Sequence, residues 1–473
     1  MANWKDKIKA YALKNAVEHE GKAQEGSVIS ALFHEGLKKE DVKDVIKDVK
    51  SEVSRVNKLS IDEQKKEFEK KEDEISHRPE REGLPELPNA EKGVIMRFAP
   101  AASGLMHIGH AITGMPTSLY VKKYGGKFYL RIEDTNPENI DPRAYEEMPK
   151  EAEWIFGNVT DIVIQSDRLP IYYKYAEELI KKSAAYVCTC VPEKFKEFVA
   201  AKKECPCRKL SKEENMKRWE KMLDKKGYKE EEAVLRFKSD MTHPNPAMRD
   251  FPLARISLGK HPRQGTKYRV WPLMNLSVCA DDIETGMTYI IRAKEHEDNA
   301  RRQEMIFKVL GKPFPWTVFL GRYKFTDLAI SKTKTKKLIK EGKFSGWDDI
   351  RLPFLNVLKR RGYQPGAFAK FAEQRGLSGV DKVISQKDFF QILDNFNRDI
   401  IKDISKKMDF SLEKEKGKGK ALDKVTILMP DNTKKEIFTS LAKLKEGDMV
   451  YFTNLGYARL DDKKKKVFWF CHN

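Results

Sequence analysis

Three stretches decide the fold of the central part of this chain: Val94-Ile95-Met96-Arg97-Phe98, the loop 99–104, and His107-Ile108-Gly109-His110. They predict a short apolar strand, a loop and the start of a helix, and the run 127–132 predicts a second strand that closes a β-α-β unit. Residues three apart on a helix share a face, so both imidazoles should point the same way. Free N–H groups of a first helical turn attract anions, and Gly109 lets a flat ligand approach the backbone. The pattern indicates a nucleotide site; the alternative is two polar capping residues.

Length and composition are those of a soluble protein. The chain has 473 residues, 40% hydrophobic and 34% charged, which is enough for three or four domains with their own cores. No segment approaches the roughly 18 apolar residues of a membrane span, and the stretch Met1–Lys7 lacks the apolar core of a signal peptide. We therefore expect a cytoplasmic protein with no membrane partner.

The charge is strongly positive and unevenly spread. Lys and Arg number 91 against 72 acidic residues, a net of +19, yet residues 1–90 carry 18 basic and 20 acidic side chains. The excess therefore lies in the rest of the chain and indicates a polyanionic partner, first of all nucleic acid. A compositional bias that reflects growth temperature is the alternative. Because the N-terminal region lacks positive charge, we expect it to dock another protein rather than RNA.

Four of the six cysteines form two Cys-x-Cys pairs, Cys188/Cys190 and Cys205/Cys207. In a reducing compartment such clustering favours metal ligation over disulfides, and four thiolates suit tetrahedral Zn²⁺. The spacing is tighter than the usual Cys-x₂-Cys knuckle, and the alternative is four ordinary reduced thiols.

The order of patterns predicts an α/β protein with a doubly wound parallel sheet and additional domains. Apolar residues at helical spacing predict a helical bundle before a Pro-rich linker, and short strand-like runs near the end predict a small β-barrel. The expected domains are 1–90, helical; 91–185, first half of the α/β domain; 186–270, an insertion with the cysteine pairs; 271–325, second half of the α/β domain; 326–410, a lysine-rich loop and helices; and 411–473, the barrel.

Three further clusters carry charge next to predicted strand ends or helix starts. Arg131-Ile-Glu133-Asp134-Thr135-Asn136 and Ile291-Arg292-Ala293-Lys294-Glu295-His296 each follow a predicted strand, where ligands bind in open α/β sheets. Acidic groups there suit an ammonium, although a turn or a solvated face gives the same pattern. The stretch 329–337 is predicted to be a hydroxyl- and lysine-rich loop before a helix, with mobile ammonium groups for phosphate oxygens.

Together these motifs resemble the class I aminoacyl-tRNA synthetases. The histidine helix and the Ser331-Lys332 loop are similar to the two signatures of that class. The stretches 97–111, 131–137 and 346–353 resemble the glutamyl/glutaminyl branch in its archaeal glutamyl form, as does the N-terminal region ending in 83–90. The resemblance implies a Rossmann-like catalytic domain with an inserted domain for the acceptor end of tRNA.

The resemblance also implies site residues. It implies that His107, His110 and Lys332 act on the reacting phosphates, with Gly109, Ser331 and Lys332 at ATP. The substrate-binding residues that it implies are Arg97, Ala99, Glu133, Met274 and Arg292, with Glu133 on the ammonium. Arg292 indicates glutamate, because glutaminyl enzymes have an uncharged residue at the matching position, and a second buried cation would leave an amide substrate with unbalanced charge.

The implied reaction uses ATP and Mg²⁺ to activate glutamate, then transfers it to the terminal adenosine of tRNA-Glu; tRNA-Gln as a second acceptor stays open. Bacterial relatives place zinc in the region of the cysteine pairs. A non-catalytic tRNA-binding paralogue, a glutaminyl enzyme and a small-molecule nucleotidyltransferase are the alternatives.

Four features depart from the family pattern. Ala329 stands where the second signature often begins with lysine, and Ala102 replaces a usual proline, which predicts a more flexible loop. Met274 stands where a tyrosine commonly contacts the substrate. Only 63 residues follow Phe410, where the family usually has two barrels, so we expect weaker anticodon recognition.

Overall fold

The computed structural model describes residues 4–19, 21–75, 83–327, 332–413 and 422–473. The chain forms two compact units, Met1–Arg81 and Glu82–Asn473. Within the described residues, no helix combines the length and the apolar character needed to cross a membrane.

The first unit is a small helical bundle, as predicted. The apolar core of this bundle has Ile8, Leu13, Val28 and Val49 at its centre. Ser60 caps the last helix by a capping box with Glu63. The helices are α1 (Trp4–Glu18), α2 (Glu25–His34), α3 (Val42–Val56) and α4 (Ile61–Glu69).

The second unit begins with three parallel strands joined by helices. The predicted strands around Arg97 and Leu130 are confirmed, and they lie side by side with Arg97 opposite Tyr129. The elements are β1 (Ile95–Phe98), α5 (Ile108–Tyr124), β2 (Lys127–Ile132), α6 (Ala144–Phe156) and β3 (Asp161–Ile164).

Two later strands form a separate parallel pair that lies beside β1, on the side away from β2. They are β8 (Tyr289–Ala293) and β9 (Trp316–Leu320), parallel to each other and connected by α11 (Glu297–Leu310). The N–H of Thr288 donates to the carbonyl of Ile95 at 3.0 Å, which sets the start of β8 beside β1. The spatial order β3-β2-β1-β8-β9 reverses between β1 and β8, the place where doubly wound sheets bind ligands at the carboxyl ends of their strands.

Between β3 and β8 the chain forms a separate antiparallel sheet in the order β4-β5-β6-β7. A strand contains Leu235, a charged helix begins at Lys212, and Leu276–Val278 lies within the last helix before β8. The elements are α7 (Leu169–Lys181), β4 (Ala185–Cys188), α8 (Pro192–Ala200), α9 (Lys212–Leu223), β5 (Val234–Phe237), β6 (Pro252–Ile256), β7 (Val270–Pro272) and α10 (Met274–Glu284).

A mainly helical region follows β9. The prediction of a loop over 329–337 is wrong from Lys332 onward, because a helix already begins there; alternating lysines and threonines tolerate helical backbone once Leu338 and Ile339 extend it. The elements are β10 (Tyr323–Phe325), α12 (Lys332–Lys340), α13 (Leu355–Arg361), α14 (Pro365–Arg375), β11 (Lys382–Ile384) and α15 (Gln386–Ile401).

The last region is one six-stranded mixed sheet in the order β12-β15-β16-β17-β13-β14. Ser411, just after β12, pairs with Phe438 in β14, so the two edges of the sheet meet. The short strands predicted near the end of the sequence are confirmed. The strands are β12 (Lys406–Met408), β13 (Asp423–Leu428), β14 (Lys434–Thr439), β15 (Met449–Phe452), β16 (Gly456–Asp462) and β17 (Val467–His472).

Candidate active site

A cavity of about 480 Å³ opens at the carboxyl ends of β1 and β8, where the strand order reverses. It brings together eight of the site residues that the sequence predicted. They come from β1, the loop after it, the start of α5, the end of β2, the start of α10 and the end of β8. They are Arg97, Ala99, His107, Gly109, His110, Glu133, Met274 and Arg292.

His107 is the N-cap residue of α5, so it precedes the first turn rather than belonging to it. Its Nδ1 accepts the N–H of Gly109 at 3.1 Å, and its own N–H donates to Nδ1 of His110 at 3.0 Å. An Nδ1 that accepts a hydrogen bond is unprotonated, so each neutral ring carries its proton on Nε2. The two rings lie 3.9 Å apart between centroids, and their Nδ1 atoms cap the start of the helix.

The predicted anion site made of free backbone N–H groups is wrong. Besides the N–H of Gly109, that of Ile108 donates to Pro353 O at 2.9 Å and that of His110 to His107 O at 2.8 Å. The first turn is therefore occupied by partners within the chain, and donors for a phosphate must come from side chains. Gly109 is required for a local reason as well: a Cβ there would lie 3.0 Å from two atoms of the His107 ring.

Arg97 and Arg131 share the carboxylate of Asp282 deep beside the cavity. Asp282 Oδ1 lies 2.5 Å from an NH1 of Arg131 and 3.4 Å from Nε of Arg97, and all three side chains are buried. Burial opposes the charge on Asp282, but Arg131 and Arg97 outweigh it and lower the pKa of that carboxyl. Burial is also the main reason that the pKa of Arg97 is lowered. Asp282 thus partly balances two buried cations.

Arg292, at the end of β8, has a different environment. Its NH1 donates to Oε1 of Gln303 at 2.8 Å, and its buried Nε has no hydrogen-bond partner among the residues that the structure describes. Burial, followed by the charge of Arg97, lowers the pKa of Arg292 to about 10. The guanidinium therefore stays charged at neutral pH, at a free-energy cost that a bound anion would offset.

Glu133 and the loop before α5 are tied together by backbone bonds. Ala102 N donates to Glu133 O, and Glu133 N donates to Pro100 O, both at 3.0 Å. Alanine at position 102 has an N–H that proline lacks, and this N–H ties the loop to the end of β2; the greater flexibility expected of this loop stays a prediction. The Glu133 carboxylate reaches Arg131 at 3.3 Å.

Sequence reasoning missed several cavity residues. His296 was quoted only as part of a charged stretch; burial and the charge of Arg292 lower its pKa to about 4, so this ring is neutral. Two adjacent aspartates inside the apolar run of α10 were the available signal for Asp282, whereas Gln303 gave none. Glu295, from the same charged stretch, also lines the cavity. The lining residues that the sequence analysis did not name include Arg322, Tyr323, Phe325 and Arg375.

The four cysteines of the two pairs converge on one point. Their Sγ atoms all lie within 4.8 Å of one another, with 3.9 Å for Cys188–Cys205 and again for Cys190–Cys207. A tetrahedron with Zn–S bonds of about 2.3 Å has edges of roughly 3.8 Å, so the spacing fits zinc. Arg218 NH1 lies 3.6 Å from Cys207 Sγ and would balance part of the thiolate charge.

The predicted roles of Ser331 and Lys332 at ATP stay predictions. Ser331 lies outside the described residues, as does Ala329. Lys332 is the first residue of α12, and the structure describes its backbone alone.

Comparison with known proteins gives the context for this geometry. Residues 93–399 match the family model for the class I tRNA synthetases (E and Q), catalytic domain. The chain belongs to this family. This synthetase is 41% identical over 411 residues to the glutamate–tRNA ligase of Methanothermobacter marburgensis, covering 86% of this chain and 73% of the relative. It is 43% identical over 421 residues to that of Thermococcus onnurineus, covering 86% and 72%.

A solved structure, the glutamate tRNA ligase from Elizabethkingia meningosepticum in complex with its amino acid, matches this synthetase with a TM-score of 0.47 at 19% identity, over 66% of this chain and 70% of that one.

Proposed function

We propose that this synthetase is a glutamate–tRNA ligase of the archaeal type, which activates glutamate with ATP and transfers it to the 3′-terminal adenosine of tRNA-Glu. The observation that carries the proposal is the cavity in which Arg97, Glu133 and Arg292 lie with the two histidines. Relatives that are 41–43% identical to this chain over the aligned residues are glutamate–tRNA ligases.

The amino acid fits the charges of the cavity. Glutamate brings one ammonium and two carboxylates; Glu133 suits the ammonium, and Arg97 and Arg292 suit the carboxylates. A neutral side-chain amide would leave the buried charge of Arg292 without a counter-charge, which costs free energy. Glutamate is therefore favoured over glutamine, and Ala99 and Met274 complete the walls.

Activation requires donors at the phosphates of ATP as the substrate carboxylate attacks the α-phosphate and pyrophosphate leaves. The Nε2–H groups of His107 and His110 supply neutral donors, and Lys332 with Ser331 would add charge and a hydroxyl from the start of α12. Gly109 leaves room for the nucleotide. Mg²⁺, when bound, neutralises phosphate charge.

The tRNA would contact the remaining regions. The sheet β4–β7 suits the acceptor end, and its four cysteines suit one structural Zn²⁺. The sheet whose edges meet at Ser411 and Phe438 is proposed as a reduced anticodon-binding barrel. The first unit is proposed to dock another protein, and action in the cytoplasm is part of the same proposal.

The test is ATP-dependent formation of glutamyl-tRNA, with tRNA-Glu and tRNA-Gln compared side by side. Lys332→Ala should abolish charging, whereas Lys337→Ala, an exposed lysine of the same helix, should not. Native protein that binds tRNA but releases no pyrophosphate with glutamate would support a non-catalytic paralogue. Charging with glutamine instead would support a glutaminyl enzyme.

A further inference from the structure

Gln303 is a buried amide behind the cavity. It lies on α11, is 1% exposed, and holds Arg292 through its Oε1 at 2.8 Å. A guanidinium only donates hydrogen bonds, so this contact fixes which end of the amide faces Arg292. The Nε2 end then faces Oδ1 of Asn275, 3.5 Å away and next to Met274 at the start of α10.

The group that accepts a hydrogen bond from Arg292 is a neutral amide, whereas the two neighbouring buried arginines contact a charged carboxylate. Arg97 and Arg131 both contact the carboxylate of Asp282, whereas within the described part of the chain no carboxylate oxygen lies within 4.0 Å of the Arg292 guanidinium. The buried Nε of Arg292 likewise finds no hydrogen-bond partner in the described ranges. Arg292 therefore has its orientation fixed by a neutral group and its charge left unbalanced.

This arrangement has a physical cost and a matching advantage. A carboxylate at position 303 would stabilise the buried guanidinium, but it would also neutralise the charge that an incoming carboxylate needs. An amide of the same shape orients the guanidinium and leaves its attraction for an anion intact.

We propose that Gln303 is a positioning residue that sets amino-acid selectivity, by holding Arg292 with a neutral acceptor so that its full charge serves the side-chain carboxylate of the substrate. This inference rests on the proposed function. It makes the selectivity for glutamate a property of the pair Arg292–Gln303 rather than of the arginine alone.

Two nearly isosteric variants separate positioning from simple packing. Gln303→Glu keeps the shape and adds a charge. It should raise KM for glutamate about 10- to 100-fold, because the new carboxylate would neutralise Arg292 and weaken the charge-assisted bond from Arg292 to the substrate carboxylate. Gln303→Met removes the acceptor without adding charge and should raise that KM by roughly 5- to 10-fold. KM for ATP should stay unchanged in both, and kcat should change less than KM.

The preference for glutamate over glutamine is the second readout. It should fall about tenfold in Gln303→Glu, which neutralises Arg292, and stay near the native value in Gln303→Met. Glu304→Gln, an exposed charge change at the next position of α11, is the matched control and should leave both KM values as in the native protein.

The measurements use the full chain with saturating tRNA-Glu. Native protein that activates neither amino acid refutes the proposed function. Native activity combined with a KM for glutamate within twofold of native in Gln303→Glu refutes this inference alone. Equal rises of KM for glutamate and ATP in both variants would show a packing role and also overturn it. If Gln303→Glu does not fold, an unchanged KM for glutamate in Gln303→Met overturns the proposal.

Discussion

The N–H of Ile108 donates to the carbonyl oxygen of Pro353 at 2.9 Å, across more than two hundred residues of sequence. A second bond, from Leu355 N to Met106 O at 3.0 Å, completes a short antiparallel pairing of His107 with Phe354. The segment that follows α12 is thereby tied to the start of the histidine helix. Beneath it, Leu105, Phe354 and Trp469 share one apolar cluster that reaches into β17 of the C-terminal sheet.

Truncation of Phe354 should therefore affect both stability and catalysis. Phe354→Ala should lower the free energy of unfolding by about 3–5 kcal/mol and, by shifting His107, slow adenylate formation on the order of tenfold or more. Chemical denaturation and pyrophosphate exchange measure the two effects. Leu179→Ala, equally buried in α7 but away from the histidines, should cost about 2–5 kcal/mol with no change in rate. A native rate in the Phe354 variant would contradict the link.

Replacement of His107 by asparagine separates its two roles. Asn can accept the N–H of Gly109 as a good N-cap residue, but it has no Nε2–H for a phosphate. His107→Asn should keep stability within about 0.5 kcal/mol of native while reducing kcat for adenylate formation about 10²- to 10³-fold. His107→Ala should lose a further ~1 kcal/mol of stability. If the asparagine variant exchanged pyrophosphate at the native rate, the donor role would be refuted.

Asp394 on α15 should make stability depend on pH. Burial raises its pKa to about 6, opposed by the hydroxyl of Tyr363 and by nearby Arg361 and Arg398. A carboxyl whose pKa is raised on folding favours the folded state when protonated, so its contribution is present below pH 4 and is lost as the pH rises through 6. Asp394→Asn should therefore stabilise the protein by roughly 2–3 kcal/mol at pH 7.5 and by nothing at pH 4.

Denaturation curves of native and variant protein between pH 4 and 8 measure that difference. Asp399→Asn, an exposed aspartate of the same helix, should give a flat difference over this range. A flat difference for Asp394→Asn as well would refute the assignment.

Metal removal tests the cysteine cluster. The native protein should contain one zinc per chain, and Cys190→Ser should lose it, because three thiolates hold zinc less tightly than four. Elemental analysis after dialysis against a chelator measures the content. Cys471→Ser, at a buried cysteine far along the chain from the cluster, should retain the metal. Native protein without zinc that still resists protease within 185–272 would refute a structural role for the metal.

The sequence predicted those parts of the site that depend on local pattern. A strand, a loop and a histidine at a helix start are local features, and the strands and the helical N-terminal unit follow from apolar spacing. The partners of Arg97 and Arg292 were not predictable, because Asp282 and Gln303 reach them only through the packing of α10 and α11 against the sheet. The same holds for the occupied N–H of Ile108, whose partner Pro353 comes from a distant segment.

The strand order has a consequence for synthesis of the chain. Because β8 lies beside β1 and not at the free edge of β3, that flank of β1 stays uncovered until residues 289–293 have been synthesised. A nascent chain halted after β3 would have β1 paired with β2 on one side only. It would present the other, unpaired edge of β1, with Ile95 and Phe98, to other chains. We therefore expect the nascent chain to be prone to association while the antiparallel sheet β4–β7 is being translated.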